Sequence, residues 1–115
     1  MTQGDSMNVG IATVNNSVVV SADGELDIMS APQVDQVLTD AIGQANSRLV
    51  LDLSDVTFMD STGLGIVVKA LKRCREKSLE FRVVVTNERV RKVFEITGLD
   101  SIISLSDALD AALSA

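Results

Sequence analysis

Residues 48–71, RLVLDLSDVTFMDSTGLGIVVKAL, change periodicity within one stretch, and that change limits what the whole chain can fold into. Leu49, Val50, Leu51 and Leu53 form an apolar run too continuous for a strand with one wet face, so it predicts a central strand covered on both sides. Further on, Leu64, Val67, Val68, Leu71 and Cys74 keep the i, i+3, i+4, i+7 spacing of one buried helical face. Between the two, residues 54–59 read as a loop. Asp60, Ser61 and Thr62 then offer side chains suited to the unpaired N–H groups of a first helical turn, which places the helix start near Ser61.

The glycines of this segment need a reason. Gly63 and Gly65 fall in the first turns of the predicted helix, where each costs about 1 kcal/mol relative to alanine. Either they leave a bare surface beside Ser61, open to a partner's backbone, or they let the helix pack closely on the sheet. Asp60 and Ser61 carry a similar choice. They are ordinary capping residues, or Ser61 is a modification site at a helix N-terminus, where partial positive charge and free N–H groups favour an anion. A phosphate-binding loop is excluded, because no lysine follows the glycines and the four-residue gap between them is missing.

Around this unit the chain alternates. Residues 11–14 and 18–20 are β-branched runs separated by Asn15-Asn16-Ser17, which predicts an opening hairpin. Asp23-Gly24-Glu25-Leu26-Asp27 follows as an acidic loop, either a solvated turn or part of a binding edge. Ser30 with Gln33 predicts a capping box, Pro32 sits in the first turn, and Val34, Val37, Leu38, Ala41, Ile42 and Ala45 give the helical stripe. A strand is expected over 80–86 and a short helix capped by Asn87 and closed by Gly98. A last strand over 102–105 and a final helix capped by Ser106 or Asp107 complete the pattern. Strand–helix repetition after a hairpin predicts an α/β domain: a mixed, mainly parallel sheet, opened by the hairpin and covered by helices, with right-handed crossovers.

The 115 residues suit one domain, and 46% hydrophobic residues make it globular. With no Trp or Tyr and only 3% aromatics, there are no stacking platforms for bases, so direct nucleic-acid binding is not expected. No stretch is long enough for a membrane span and the first residues lack the layout of a signal peptide, so a cytoplasmic location is expected, with residues 1–8 flexible. The single Cys74 lies on the apolar helical face and reads as packing rather than chemistry. Acidic residues dominate the first half, whereas nine of the ten basic residues lie between Lys69 and Lys92, a distribution that reads as solvated faces. The absence of histidine removes every mechanism that needs imidazole. No nucleophile–base pair is identifiable, so an enzyme is not expected; no cofactor or metal is expected either, the one metal site the composition leaves open being a carboxylate site for Mg²⁺ built from acids such as Asp23, Asp27, Asp52 and Asp60.

VLDLSDVTFMDSTGLGIVV resembles the signature of STAS domains, in particular the bacterial anti-sigma-factor antagonists. Gly24-Glu25-Leu26-Asp27 followed by Ala31-Pro32 is similar to the family's second strand and first helix start, and residues 86–99 to its later strand and helix. The resemblance implies a single STAS domain over 1–115 that binds an anti-sigma factor which is also a serine kinase, releasing a sigma factor and switching transcription. It implies phosphorylation of Ser61 as the off-switch, with Thr62 a minor second acceptor, and a phosphatase that reverses it. Asp27, Asp60, Ser61, Thr62 and Gly63 are the residues it assigns to partner binding; ATP and Mg²⁺ belong to the kinase.

Two alternatives stand beside this. One is a STAS scaffold module that is never phosphorylated. The other is a receiver-like domain in which Asp52, near the end of a central strand, accepts a phosphoryl group. A receiver resembles a strict strand–helix alternation, whereas this chain opens with a hairpin and has Thr86-Asn87 where a lysine would be expected.

Overall fold

The structure is a computed structural model and describes residues 7–114. Its five strands are β1 (Asn8–Val14), β2 (Ser17–Leu26), β3 (Arg48–Met59), β4 (Glu80–Val84) and β5 (Ser104–Ser106). They lie side by side in sequence order, β1–β2 antiparallel and every other pair parallel. Helices α1 (Ala31–Gln44), α2 (Ser61–Glu76), α3 (Glu88–Thr97) and α4 (Leu109–Leu113) fill the crossovers and the C-terminal end, with a 3-10 turn at Leu99–Ser101. This is the mixed sheet that the alternation of periodicities predicts.

The two faces of the sheet differ. On one, Val18, Val20, Leu49, Leu51, Leu53, Phe81 and Val83 merge with the inner sides of α1, α2 and α3 into one large aliphatic core. On the other, Val19, Val50 and Val84 cluster with Ala112, Leu109, Leu113 and Val14. A helix of five residues cannot hold itself by propensity. Here α4 is fastened at its C-terminal end: Arg48 donates to the Leu113 carbonyl at 3.0 Å and Arg82 to those of Ala112 and Ser114 at 2.9 and 2.6 Å. Both cations favour the negative end of the helix. Glu80 bridges the two arginines; burial works against its charge, but hydrogen bonds from Arg82 and Arg48 prevail and hold its carboxyl below the usual range.

Several boundaries differ from the sequence-based expectation, each for a local reason. The stretch 54–59 is strand, not loop, and so is the acidic segment up to Leu26, because β2 and β3 stay paired to Leu26↔Met59 by absorbing two register shifts. Flexibility is expected over residues 1–8, yet Met7 is buried and Asn8 begins β1; residues 1–6 lie outside the described ones. Ser30 makes no side-chain cap for α1, since its hydroxyl oxygen accepts instead from the Asp27 amide at 3.0 Å while its proton goes to the Glu25 carbonyl at 2.7 Å. The final helix starts at Leu109 without a side-chain cap: Ser106 belongs to β5, and Asp107 pairs instead with Arg91. The Asn87 cap and the left-handed Gly98 are as expected.

The basic stretch is more than a solvated face. Lys69 pairs with Asp35, Arg73 donates to the Thr39 hydroxyl and Lys77 to the Ile42 carbonyl, so three cations of α2 and its C-cap tie that helix to α1.

Cys74 is fully buried in the main core, and that burial pushes its thiol up to about 11 against the opposing pull of Lys77. A thiol whose ionisation is suppressed and that is shielded from solvent reacts slowly. The native protein should therefore resist a disulfide-exchange reagent at pH 8 and react with one equivalent only on unfolding; rapid labelling of folded protein would contradict this placement.

Candidate functional site

The site forms where β2 and β3 end together. Because Leu26 and Met59 are register partners, the two segments that leave the sheet there, 27–30 and 60–61, start as neighbours although more than thirty residues separate them in sequence. One side chain joins them. Asp60 is the N-cap of α2 and accepts from the Gly63 amide at 2.9 Å, while its other carboxylate oxygen accepts from the Ile28 amide at 3.2 Å. Its own amide donates to the Leu26 carbonyl at 3.2 Å.

Asp27 organises the other segment. Its carboxylate accepts from the amides of Met29 and Ser30 at 3.0 and 3.1 Å, and its own amide donates to the Ser30 hydroxyl at 3.0 Å. The Ala31 amide reaches the Asp27 carbonyl at 2.8 Å. This is a side chain imitating a backbone turn, the local bonding that Asp and Ser favour. Asp27 and Asp60 are each partly buried, and Ser61 and Thr62 are exposed in the first turn of α2.

Gly63 is the residue whose role the structure decides. It is buried, and a Cβ there would lie 2.5 Å from the Leu26 carbonyl oxygen, 2.8 Å from the Leu26 Cγ and 3.1 Å from the Met59 Cγ. The open surface for a partner's backbone is therefore not at Gly63; the glycine lets α2 sit on the end of β2, which is the packing alternative. Gly65 is the exposed one. A Cβ there would meet nothing within 4 Å, so no steric reason accounts for its place in the helix.

Asp52 is the acceptor in the receiver-like alternative. It lies in the middle of β3 rather than at its end, and its carboxylate is engaged by the amide and hydroxyl of Ser54 at 3.0 and 2.6 Å. Among the described residues no three acids, cysteines or histidines gather as metal ligands. Also among the described residues, no helix is long and apolar enough to cross a membrane. What sequence reasoning missed is the pair Ile28 and Met29, which the loop holds out in solvent. Two large apolar residues between the acids and Ser30-Ala31-Pro32 were a signal available in the sequence.

The structure is thus a single-domain α/β scaffold that presents an exposed serine at the start of a helix, beside two acids that order the adjoining loop. Residues 8–112 match the model of the STAS domain, and the chain belongs to that family. An anti-sigma-B factor antagonist of Staphylococcus aureus is 30% identical over 105 residues, 91% of this chain and 97% of the relative. The crystal structure of an anti-sigma factor antagonist from Mycobacterium paratuberculosis superposes with a TM-score of 0.89 at 31% identity, covering 98% of this chain and 96% of the other. The Bacillus cell fate determinant SpoIIAA in its phosphorylated form shares the fold at a TM-score of 0.70 and 24% identity, over 91% of this chain and 96% of that one.

The two glycines should separate cleanly. Gly63→Ala should destabilise the protein by about 2–3 kcal/mol through overpacking against backbone, while Gly65→Ala should be neutral or stabilise by up to about 1 kcal/mol through helix propensity. Denaturant melts of both variants measure this, and a stable Gly63→Ala would refute the close approach to Leu26.

Proposed function

We propose that the protein is an anti-sigma-factor antagonist: it binds an anti-sigma factor that is also a serine kinase, frees the sigma factor, and is switched off by phosphorylation of Ser61. The observation that carries this is the placement of an exposed Ser61 at the start of α2, tied through Asp60 to the Asp27 loop. The names of relatives about 30% identical over nearly the whole chain support the class of function. That a protein of the same fold exists in a phosphorylated form supports the modification.

Residue by residue, Ser61 is the acceptor and its hydroxyl attacks the γ-phosphorus of the kinase's ATP, giving phosphoserine and ADP. Its proton passes to a base on the kinase. Asp60 fixes the start of the helix and so the position of Ser61; Asp27 fixes the neighbouring loop. Thr62, also exposed, is a minor second acceptor. Gly63 contributes through α2 packing, not through contact.

A phosphate adds about −1.5 to −2 charges at pH 7 to an edge already carrying Asp27 and Asp60, and a partner docked there meets repulsion and a desolvation cost. No refolding is required. The protein would act in the cytoplasm, with a phosphatase resetting phospho-Ser61.

Incubation with ATP and the purified cognate kinase should add one phosphate, located on Ser61 by peptide mass spectrometry. In calorimetric titration against that kinase, Ser61→Ala should bind as the wild type does, whereas Ser61→Asp should bind about 100-fold more weakly, a loss of about 3 kcal/mol. Equal affinities would place Ser61 outside the interface. A stable complex with an anti-sigma factor but no phosphate on Ser61 would favour a scaffold role.

A further inference from the structure

Ser61 and its acids leave one conspicuous part of the same edge unused. Ile28 is 68% and Met29 74% exposed, side by side at the tip of the β2–α1 loop. They are not on a loose segment. The amides of Asp27, Ile28, Met29, Ser30 and Ala31 are all hydrogen-bonded, to the Ser30 hydroxyl, the Asp60 carboxylate, the Asp27 carboxylate twice and the Asp27 carbonyl respectively. The backbone is thus fixed by polar groups alone, and the two apolar side chains play no part in fixing it.

We propose that Ile28 and Met29 are the apolar anchor by which this chain seats in its anti-sigma factor. The inference rests on the proposed function and concerns the same edge. Its occupant is a surface on the anti-sigma factor that offers an apolar pocket bordered by basic groups. The basic border follows from the ring around the tip: Glu25 is exposed beside it, and Asp27 and Asp60 flank it. Rigidity favours the anchor, because the backbone of the turn is already ordered and loses little freedom on binding. Apolar side chains at the centre of a patch, rimmed by charge, are also the arrangement in which a few residues dominate binding.

The tip is mechanically continuous with the phosphorylation site. One carboxylate, that of Asp60, holds both the Ile28 amide and the first turn of α2. A partner that receives the tip therefore receives Ser61 in a fixed position beside it, which both presents the hydroxyl for phosphorylation and ensures that phosphate meets the partner's surface. Anchor and switch act on one footprint.

The test uses the full-length double variant Ile28→Ser/Met29→Ser, titrated against the purified anti-sigma kinase that phosphorylates Ser61. Ile96→Ser serves as the control, since Ile96 is 78% exposed but lies near the end of α3, away from the strand ends that carry Ser61. Both variants should melt as the wild type does. The double variant should bind at least about 30-fold more weakly and be phosphorylated correspondingly more slowly at sub-saturating concentration, while Ile96→Ser should match the wild type. If the double variant melts early, Met29→Gln, which keeps the chain length and removes the apolar end, should still lose about tenfold in affinity. Wild-type affinity in a folded tip variant, or an equal loss in Ile96→Ser, would overturn the anchor and leave the proposed function standing. Failure of any anti-sigma factor to bind or phosphorylate the wild type would instead overturn the proposed function, and the anchor with it.

Discussion

The carboxylate of Asp60 is the joint on which the functional edge depends. One of its oxygens caps α2 and the other holds the amide of Ile28, so the helix that carries Ser61 and the loop that carries Asp27 are set by the same group. An N-cap of this kind is worth about 1 kcal/mol to a helix. The second bond gives it a different value, because it fixes the relative position of two segments that the chain supplies separately. Gly63 completes the joint from the apolar side: only a residue without a Cβ lets α2 approach the Leu26 carbonyl this closely.

Such a joint needs a scaffold that does not move. The long pairing of β2 with β3, carried through two register shifts, delivers Leu26 and Met59 to the edge together. The main core behind it is built from Val, Leu, Ile and Ala with Phe81 and Phe94, and the salt bridge and hydrogen bonds between α1 and α2 hold the two helices at a fixed spacing. The opposite face is lightly covered, by a five-residue helix fastened through Arg48 and Arg82. Rigidity is thus concentrated on the side that presents Ser61. The switch proposed for Ser61, charge added to a fixed surface, would suit this layout, since such a phosphate would change what can dock and not how the chain folds.

The division between legible and illegible features follows from the range of the interactions. Periodicity and capping act within a turn or two, so the order of residues alone specified the central strand, a helix start near Ser61 with its cap among Asp60, Ser61 and Thr62, the Asn87 cap, the left-handed Gly98 and the mixed sheet opened by a hairpin. The family resemblance rested on the same compact segment, and the match over residues 8–112 agrees with it. The purpose of Gly63, the length of β2 and β3, the missing Ser30 cap and the exposure of Ile28 and Met29 became definite only once the chain was folded. Each depends on a group beyond the reach of a local pattern: the Leu26 carbonyl under Gly63, the register of β2 against β3, the Asp27 amide and Glu25 carbonyl that engage the Ser30 hydroxyl, and the Asp60 carboxylate that holds the Ile28 amide. A local pattern records that a glycine or a serine is present; only the neighbour that folding brings to it says what it is for.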